Sequence, residues 1–198
     1  TGRRIRPGES VTAIRHCNNR DYWVLCQGEA DTIYVFLATT NYTMQFDSYF
    51  KSGEMYRQCQ INPSPNGKFI SIGTKVYGFD RGTGDVSFIF KDSLIADKTW
   101  GAAFSPNSKI LYRSYIDYIN NQYVGKLFQY DMESGANDKG RKLAVTDYFV
   151  RNLQNGPDNR VYLSAENTEF VSVINEPNEI VTGTDNKCDF QQEGVQLS

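Results

Sequence analysis

Histidine is nearly absent from this chain, which has one histidine among 198 residues. A catalytic imidazole needs a neighbouring carboxylate or nucleophile, and a transition-metal site needs several His or Cys ligands, so His16 is expected to be structural. The four cysteines, Cys17, Cys26, Cys59 and Cys188, follow no zinc-ligand spacing. We expect free thiols on strands, with a Cys17–Cys59 disulfide as the alternative that an oxidising compartment would favour.

The chain also lacks an excess of charge and a long apolar run. It has 21 basic and 23 acidic residues and a net charge of −2, and no basic stretch, so we expect no nucleic-acid partner. No apolar run reaches the roughly 18–20 residues that a membrane span needs. No phosphate-binding glycine loop and no nucleophile elbow are present. No catalytic residues, cofactor-binding residues or metal ligands are therefore assigned, and an enzyme is the less favoured class.

Aromatic residues are abundant, with 13 Tyr and 12 Phe. Aromatic side chains favour strands, and no helical pattern longer than a turn or two is found. An all-β fold is therefore predicted.

A short phrase recurs along the chain. It reads SPNGKFIS at 64–71, SPNSKILY at 105–112 and GPDNRVYL at 156–163. A weaker copy, CNNRDYWV at 17–24, aligns when Asn19 is set against Asn66. Each copy predicts a tight turn followed by a strand, because Pro fixes φ and Asn, Asp and Gly tolerate left-handed backbone angles. Strand repeats of about 40–50 residues are typical of β-propeller blades.

The repeats predict one β-propeller region over 1–198, with about four blades of four-stranded antiparallel sheet. The predicted blades cover residues 10–48, 53–91, 99–148 and 149–198. Residues 117–122 are expected to form a polar hairpin loop, and the sequence beyond Pro177 is expected to be loop-like.

Several phrases resemble those of large secreted or cell-surface β-propeller proteins of Bacteroidetes. They are VTAIRHCNNRDYWV at 11–24, FDRGTGDVS at 79–87, FSPNSKILY at 104–112, and the segments 153–162 and 173–178. Those proteins are similar to WD40 and YVTN propellers, and many carry a type IX secretion sorting domain. The resemblance implies architecture and a secreted or cell-surface location more than an activity.

The resemblance further implies that the chain is the C-terminal part of a larger propeller. In that case the blades form an open arc, and missing blades or another subunit cover the exposed blade faces. An open arc of residues 1–198 is expected to self-associate when it is expressed alone.

The leading functional hypothesis is a non-enzymatic interaction module that binds a protein or glycan through blade loops. The aromatic, polar segment with Tyr115, Tyr118 and Tyr123 is the predicted contact. A propeller-type hydrolase or lactonase with a channel site completed by missing blades is one alternative, and a structural component of an envelope or surface assembly is another. Ca²⁺ at the strand-end carboxylates Asp80, Asp85 and Asp131 is a weaker expectation than capping of turn amides.

Overall fold

The structure, a computed structural model, describes residues 8, 10–53, 60–92, 99–119, 121–134, 140–166 and 168–197. Strands dominate this part of the chain, and no helix in it is long and apolar enough to cross a membrane. The chain divides into two compact units, residues 1–90 and 91–198.

The first unit contains two four-stranded antiparallel sheets, each with its strands in simple sequence order. Blade 1 consists of β1 (Val11–Arg15), β2 (Tyr22–Gln27), β3 (Thr32–Ala38) and β4 (Met44–Lys51). Blade 2 consists of β5 (Ile61–Pro63), β6 (Phe69–Ile72), β7 (Lys75–Phe79) and β8 (Val86–Lys91).

The second unit contains two more sheets of the same order. Blade 3 consists of β9 (Thr99–Phe104), β10 (Ile110–Ile119), β11 (Gln122–Asp131) and β12 (Arg141–Thr146). Blade 4 consists of β13 (Val150–Asn155), β14 (Val161–Ala165), β15 (Phe170–Ile174) and β16 (Phe190–Gln196). The predicted all-β propeller class with four four-stranded blades is confirmed.

The repeated phrase forms the turn between the first and second strand of every blade. One residue of each turn has a positive φ, of 60, 70, 65 and 63° in Asn19, Gly67, Ser108 and Asn159. The amide of this residue donates to the carbonyl three residues earlier, at 2.8 to 3.3 Å. Gly has no Cβ and Asn tolerates this region, so the composition of the phrase follows from the backbone that the turn requires.

The residue before the positive-φ position also has one role in all four turns. Its side-chain oxygen accepts the amide hydrogen two residues later, at 2.9 to 3.3 Å, in Asn18, Asn66, Asn107 and Asp158. In the first turn the equivalent of Asn66 is therefore Asn18, so the predicted alignment with Asn19 was wrong by one residue. The Pro-Asn or Pro-Asp pair that marks the other copies is absent there, which explains the error.

The core of the first unit lies between blades 1 and 2. Its buried side chains are Ile14, Trp23, Leu25, Ile33 and Val35 of blade 1 and Ile61, Ile70, Ile72, Tyr77 and Phe79 of blade 2. The Trp23 and Phe79 rings meet edge to face at 6.2 Å. The Trp23 indole also donates to the Arg81 carbonyl at 2.9 Å. Each fully buried aliphatic or aromatic side chain contributes about 1.5–3 kcal/mol.

The core of the second unit lies between blades 3 and 4. Its apolar members include Ile110, Tyr112 and Leu127 of blade 3 and Leu153, Val161, Leu163 and Ile174 of blade 4. Buried Gln129 on β11 bridges to the segment that precedes β16. Its amide nitrogen donates to the Glu179 carbonyl at 2.8 Å, and its amide oxygen accepts the Val181 amide hydrogen at 2.9 Å. A buried polar side chain with both ends satisfied fixes that segment to the sheet.

Two segments predicted as loops contain strands. Residues 117–122 belong largely to β10 and β11, which pair as far as Ile119 and Gln122. Beyond Pro177 the chain is a loop as far as Asp189, as expected, and it then forms β16, which pairs with β15 along most of its length. Residues 191–196 of β16 are exposed, so the sequence has no alternation of apolar and polar residues from which this strand could be predicted.

Candidate functional site

The hairpin of β10 and β11 extends past the rest of blade 3. Its two strands are ten residues long, whereas β9 and β12 have six. The pairing of β9 with β10 stops at Tyr115, and the pairing of β12 with β11 begins at Gly125. Asn121 in the turn has a φ of 63°, which Asn accepts readily. Among the described residues, which do not include 93–98, the tip of the hairpin is therefore paired only with itself.

Aromatic rings line one side of this tip. Tyr118 and Tyr123 are direct cross-strand partners, and their ring centroids are 4.8 Å apart. Their exposed fractions are 55% and 58%. The Tyr123 ring meets that of Phe149 at 5.3 Å, and the Arg151 guanidinium lies 5.8 Å from the Phe149 ring centroid. We call Tyr118, Tyr123, Phe149 and Arg151 the aromatic hairpin surface.

Ion pairs lie on both faces of the hairpin. Beside the rings, Arg151 Nη2 lies 2.6 Å from Glu166 Oε1. Lys126 Nζ pairs with Asp117 Oδ2 on the opposite face, which is that of Tyr115. The Asp117 side chain also accepts the Tyr118 amide hydrogen at 2.8 Å. Partly exposed ion pairs add little stability, typically about 0–1 kcal/mol, but the pair with Glu166 restricts the Arg151 side chain beside the Phe149 ring.

Tyr115 does not belong to this exposed surface, contrary to the expectation that it would be an exposed contact. Its exposed fraction is 2%, and its hydroxyl contacts the Asp92 carboxylate and lies 2.7 Å from the Tyr130 hydroxyl. Residues alternate between the two faces of a strand, and Tyr115 and Tyr118 fall on opposite faces. The roles of Tyr118 and Tyr123 in binding stay predictions.

The network around Tyr115 is structural in character. Arg113 Nη1 lies 3.9 Å from Asp92 Oδ2, and both side chains are fully buried. The Tyr130 hydroxyl donates to the same carboxylate, and the Arg113 guanidinium lies 5.5 Å from the Tyr130 ring centroid. Burial raises the pKa of Tyr115 and of Tyr130, with the Asp92 carboxylate acting in the same direction. Both phenols are therefore held neutral and serve as donors.

His16 lies in the first turn of blade 1. Its Nδ1 accepts the Asn18 amide hydrogen at 3.0 Å, and its ring lies 5.5 Å from that of Trp23. This arrangement suits a turn-stabilising histidine, as expected from the sequence.

The described cysteines are free thiols. Cys17 is exposed, Cys26 is partly buried and Cys188 is buried. The suggested Cys17–Cys59 disulfide involves Cys59, which lies outside the described residues.

The strand-end carboxylates accept hydrogen bonds from turns. Asp80 Oδ1 accepts the amide hydrogens of Gly82 and Thr83 at 2.7 and 3.2 Å. Asp131 Oδ1 accepts that of Glu133 at 2.9 Å, and Asp85 Oδ2 accepts the Thr83 hydroxyl at 2.7 Å. Within the described ranges, no three His, Cys, Asp or Glu side chains are placed to share a metal ion. Calcium binding here stays a prediction.

Sequence reasoning missed Phe149 and Arg151, which the fold brings to Tyr123 from the start of β13. They lie 26 and 28 residues from Tyr123 along the chain, so no local pattern joins them. The aromatic content of residues 148–149 was the one available signal.

Comparison with solved structures shows the fold. The chain aligns over 94% of its length with 55% of a protein from Lactobacillus plantarum, at 16% identity and a TM-score of 0.57. It aligns over 91% of its length with 51% of the RRP9 WD40 repeats, at 11% identity and a TM-score of 0.58. It aligns over 82% of its length with 59% of a chain in the structure of a nidogen/laminin complex, at 13% identity and a TM-score of 0.51.

The chain thus spans little more than half the length of each of these matched chains. No protein-family model matches it, and no curated protein sequence does either. Identities this low establish the propeller fold alone, because one fold serves many functions.

Proposed function

We propose that this protein is a non-enzymatic interaction module that binds a partner protein through the aromatic hairpin surface. The observation that carries the proposal is the stack of exposed rings at Tyr118 and Tyr123, with Phe149 and Arg151 beside them. Exposed aromatic side chains that are already packed lose little conformational entropy on binding, and Tyr and Arg dominate the energetics of protein interfaces.

The position of the surface supports the same role. The hairpin tip extends beyond the described parts of its neighbouring strands and both tyrosines are more than half exposed, so a partner can reach them without displacing a described blade strand. Loops and strand tips on a rigid scaffold are the usual location of binding residues. A matched propeller structure is itself that of a complex between two proteins, nidogen and laminin.

A glycan is the second candidate ligand, because flat exposed rings also stack on sugars. The charged pair beside the rings, Arg151–Glu166, favours a protein with charges of its own. We therefore place the protein partner first and treat the glycan as an arm of the test.

We also propose a secreted or cell-surface location. Its support is the resemblance of the recurrent phrases to those of secreted Bacteroidetes propellers. An antibody against the chain, applied to culture medium, intact cells and lysed cells of the source organism, tests this part separately. Detection only after lysis contradicts it.

The test of binding compares three immobilised chains in extract and medium of the source organism: the wild type, the Tyr118→Ser/Tyr123→Ser double variant, and Tyr42→Ser. Tyr42 is the matched control, because it is fully exposed and far from the hairpin in sequence. We expect a protein that the wild type and Tyr42→Ser retain and the double variant loses, read by mass spectrometry.

Equal retention by all three chains contradicts the proposal. A glycan array probed with the same three chains forms the second arm. A tyrosine-dependent glycan signal without a tyrosine-dependent protein replaces the protein partner with a glycan.

A further inference from the structure

The three rings of the aromatic hairpin surface are inclined to one another. The ring planes of Tyr118 and Tyr123 differ by 59°, and those of Tyr123 and Phe149 differ by 60°. The ring centroids are 4.8 and 5.3 Å apart, so neighbouring rings touch without sharing a plane and form a row of ridges with furrows between them. This row is not a flat platform for several stacked sugar rings. Its shape suits a ligand that has ridges of its own.

The hydroxyl groups of Tyr118 and Tyr123 are available as hydrogen-bond donors. In the described part of the chain neither hydroxyl has a partner, and more than half of each side chain is exposed. A ligand that covered them with apolar atoms alone would leave two donors unsatisfied, which disfavours binding. The ligand is therefore expected to bring hydrogen-bond acceptors together with apolar surface.

The tip of the hairpin is a poor site for a peptide that adds as a further strand. The Tyr118 amide hydrogen is already accepted by Asp117 Oδ1 at 2.8 Å, so β10 does not offer it to a new strand. Beside β11, the Tyr148 carbonyl lies so close to Gly125 that a Cβ there would have no room. A ligand is thus expected to contact the rings with its side chains and carbonyls, without a strand ladder.

An extended proline-rich segment meets all three conditions. A polyproline II helix has no internal hydrogen bonds, so each of its carbonyls is available as an acceptor, and proline has no amide hydrogen that needs a partner. Its pyrrolidine rings form ridges that can lie in the furrows between aromatic rings. The helix is ordered before it binds, so little conformational entropy is lost. Six residues, at about 3.1 Å each, are long enough to cover the row.

We propose that the aromatic hairpin surface binds a proline-rich segment of the partner protein in the polyproline II conformation, with the Tyr118 and Tyr123 hydroxyls donating to its carbonyls. This inference rests on the proposed function and names the chemistry of its partner. A charged residue beside the prolines would meet Arg151 and Glu166, whose partly exposed side chains form an ion pair next to the row.

The test is fluorescence anisotropy of a dye-labelled decaproline peptide titrated with the wild type and three variants. Tyr118→Phe/Tyr123→Phe keeps every ring and removes only the hydroxyls, and it should weaken binding by about 5-fold or more. Tyr118→Ser/Tyr123→Ser also removes two rings and should weaken binding by more than about 30-fold, as expected for central aromatic contacts. Tyr42→Ser should bind like the wild type.

Two controls accompany the titrations. A ten-residue Gly-Ser peptide has the same number of carbonyls without proline rings or a fixed helix, and it should not bind the wild type. Circular dichroism and a melting curve verify that each variant is folded. Both tyrosines are more than half exposed, so the substitutions leave the buried core in place. If the Ser pair unfolds, the Phe pair still carries the test.

The outcomes separate this inference from the proposed function. A decaproline peptide that does not bind the wild type, or that binds all four chains equally, overturns the inference. Equal affinities of the wild type and the Phe pair overturn the hydroxyl contacts.

Competition decides the rest, because excess decaproline in the capture experiment should release the retained protein. Tyrosine-dependent retention that decaproline leaves intact keeps the interaction module and overturns its proline-rich partner. The absence of any tyrosine-dependent protein contradicts the proposed function itself.

Discussion

Tyr22 and Ile70 occupy the same position after the same turn, yet 44% of Tyr22 is exposed while Ile70 is fully buried. The difference arises from the neighbouring sheet, because Ile70 packs on blade 1, whereas Tyr22 lies on the face of blade 1 that is turned away from the core containing Trp23. The residue types agree with this difference, because the hydroxyl of an exposed tyrosine can bind water, whereas the wholly apolar side chain of isoleucine suits a packed position. Equivalent positions in a repeat fold thus report which blade faces are covered.

The turn of blade 2 should depend on glycine for two separable reasons. Gly67 has a φ of 70°, and a Cβ on it would lie 2.8 Å from Ile14 Cγ2. Gly183 has a φ of 67°, but a Cβ on it would meet no atom within 4 Å, so Gly183 is the matched control. Gly183→Ala should cost about 1–2 kcal/mol from backbone strain alone.

Gly67→Ala should cost more than Gly183→Ala, because the new methyl group also displaces Ile14 from the core. Urea denaturation of both variants measures the difference in the free energy of unfolding. Equal losses would show that blade 1 does not pack against this turn as described.

The buried Asp92–Arg113 pair should be essential for stability. Asp92→Asn leaves the buried Arg113 charge without its carboxylate, and breaking such a pair costs about 3–5 kcal/mol. The control is Glu133→Gln, which removes an exposed ion pair with Lys109 and should change the free energy of unfolding by less than about 0.5 kcal/mol. Chemical denaturation compares them. A small loss for Asp92→Asn would mean that water reaches this network.

Alkaline pH should destabilise the second unit through its buried phenols. Burial raises the pKa of Tyr115 and Tyr130 above the value of about 10 of an unfolded tyrosine. Their contribution is fully present below about pH 10 and is lost as the pH rises towards the folded-state pKa, because the unfolded chain releases these protons first. The free energy of unfolding should fall by about 1.4 kcal/mol per pH unit for each such proton.

Tyr115→Phe removes one of these protons and should make that alkaline slope shallower, whereas exposed Tyr118→Phe should leave it unchanged. Denaturant midpoints measured from neutral pH to above about pH 10 give the slopes. The same slope for the wild type and Tyr115→Phe would contradict the buried placement of Tyr115.

The thiols should differ in reactivity by burial. Cys17 is exposed, whereas Cys188 is buried and its pKa is raised by burial to about 11. Alkylation at mildly alkaline pH, followed by peptide mass spectrometry, should label Cys17 rapidly and Cys188 only after unfolding, because the thiolate is the reacting form. Rapid labelling of native Cys188 would mean that the packing of blade 4 is open to solvent.

The repeats and their turns could be read from the sequence because the constraint is local. The left-handed backbone at Gly67, Ser108 and Asn159 restricts which residue types fit within a few positions of each turn. The same short motif therefore recurs and can be recognised in the sequence. The fourth strands of blades 1 and 4 were harder to find. Strands β4 and β16 are sheet edges with mostly exposed side chains, so the alternation that marks a half-buried strand is weak in them.

The candidate site was only partly predictable. Tyr118 and Tyr123 were found because they flank one hairpin. Buried Tyr115 is separated from them because side chains alternate between the two faces of β10. Residues 117–122 were interpreted as a loop, so this alternation was not followed from Tyr115 to Tyr118. Phe149 and Arg151 reach the site through the packing of β13 beside β9 and β10, which is a tertiary contact.

The most direct test of the proposed binding surface is hydrogen–deuterium exchange of the chain with and without the protein retained in the capture experiment. Binding through the aromatic hairpin surface predicts protection of residues 116–124 and 149–151, with residues 44–49 of β4 unchanged by the partner. Protection confined to other segments, with the β10–β11 hairpin exchanging as fast as in the free chain, would contradict the account.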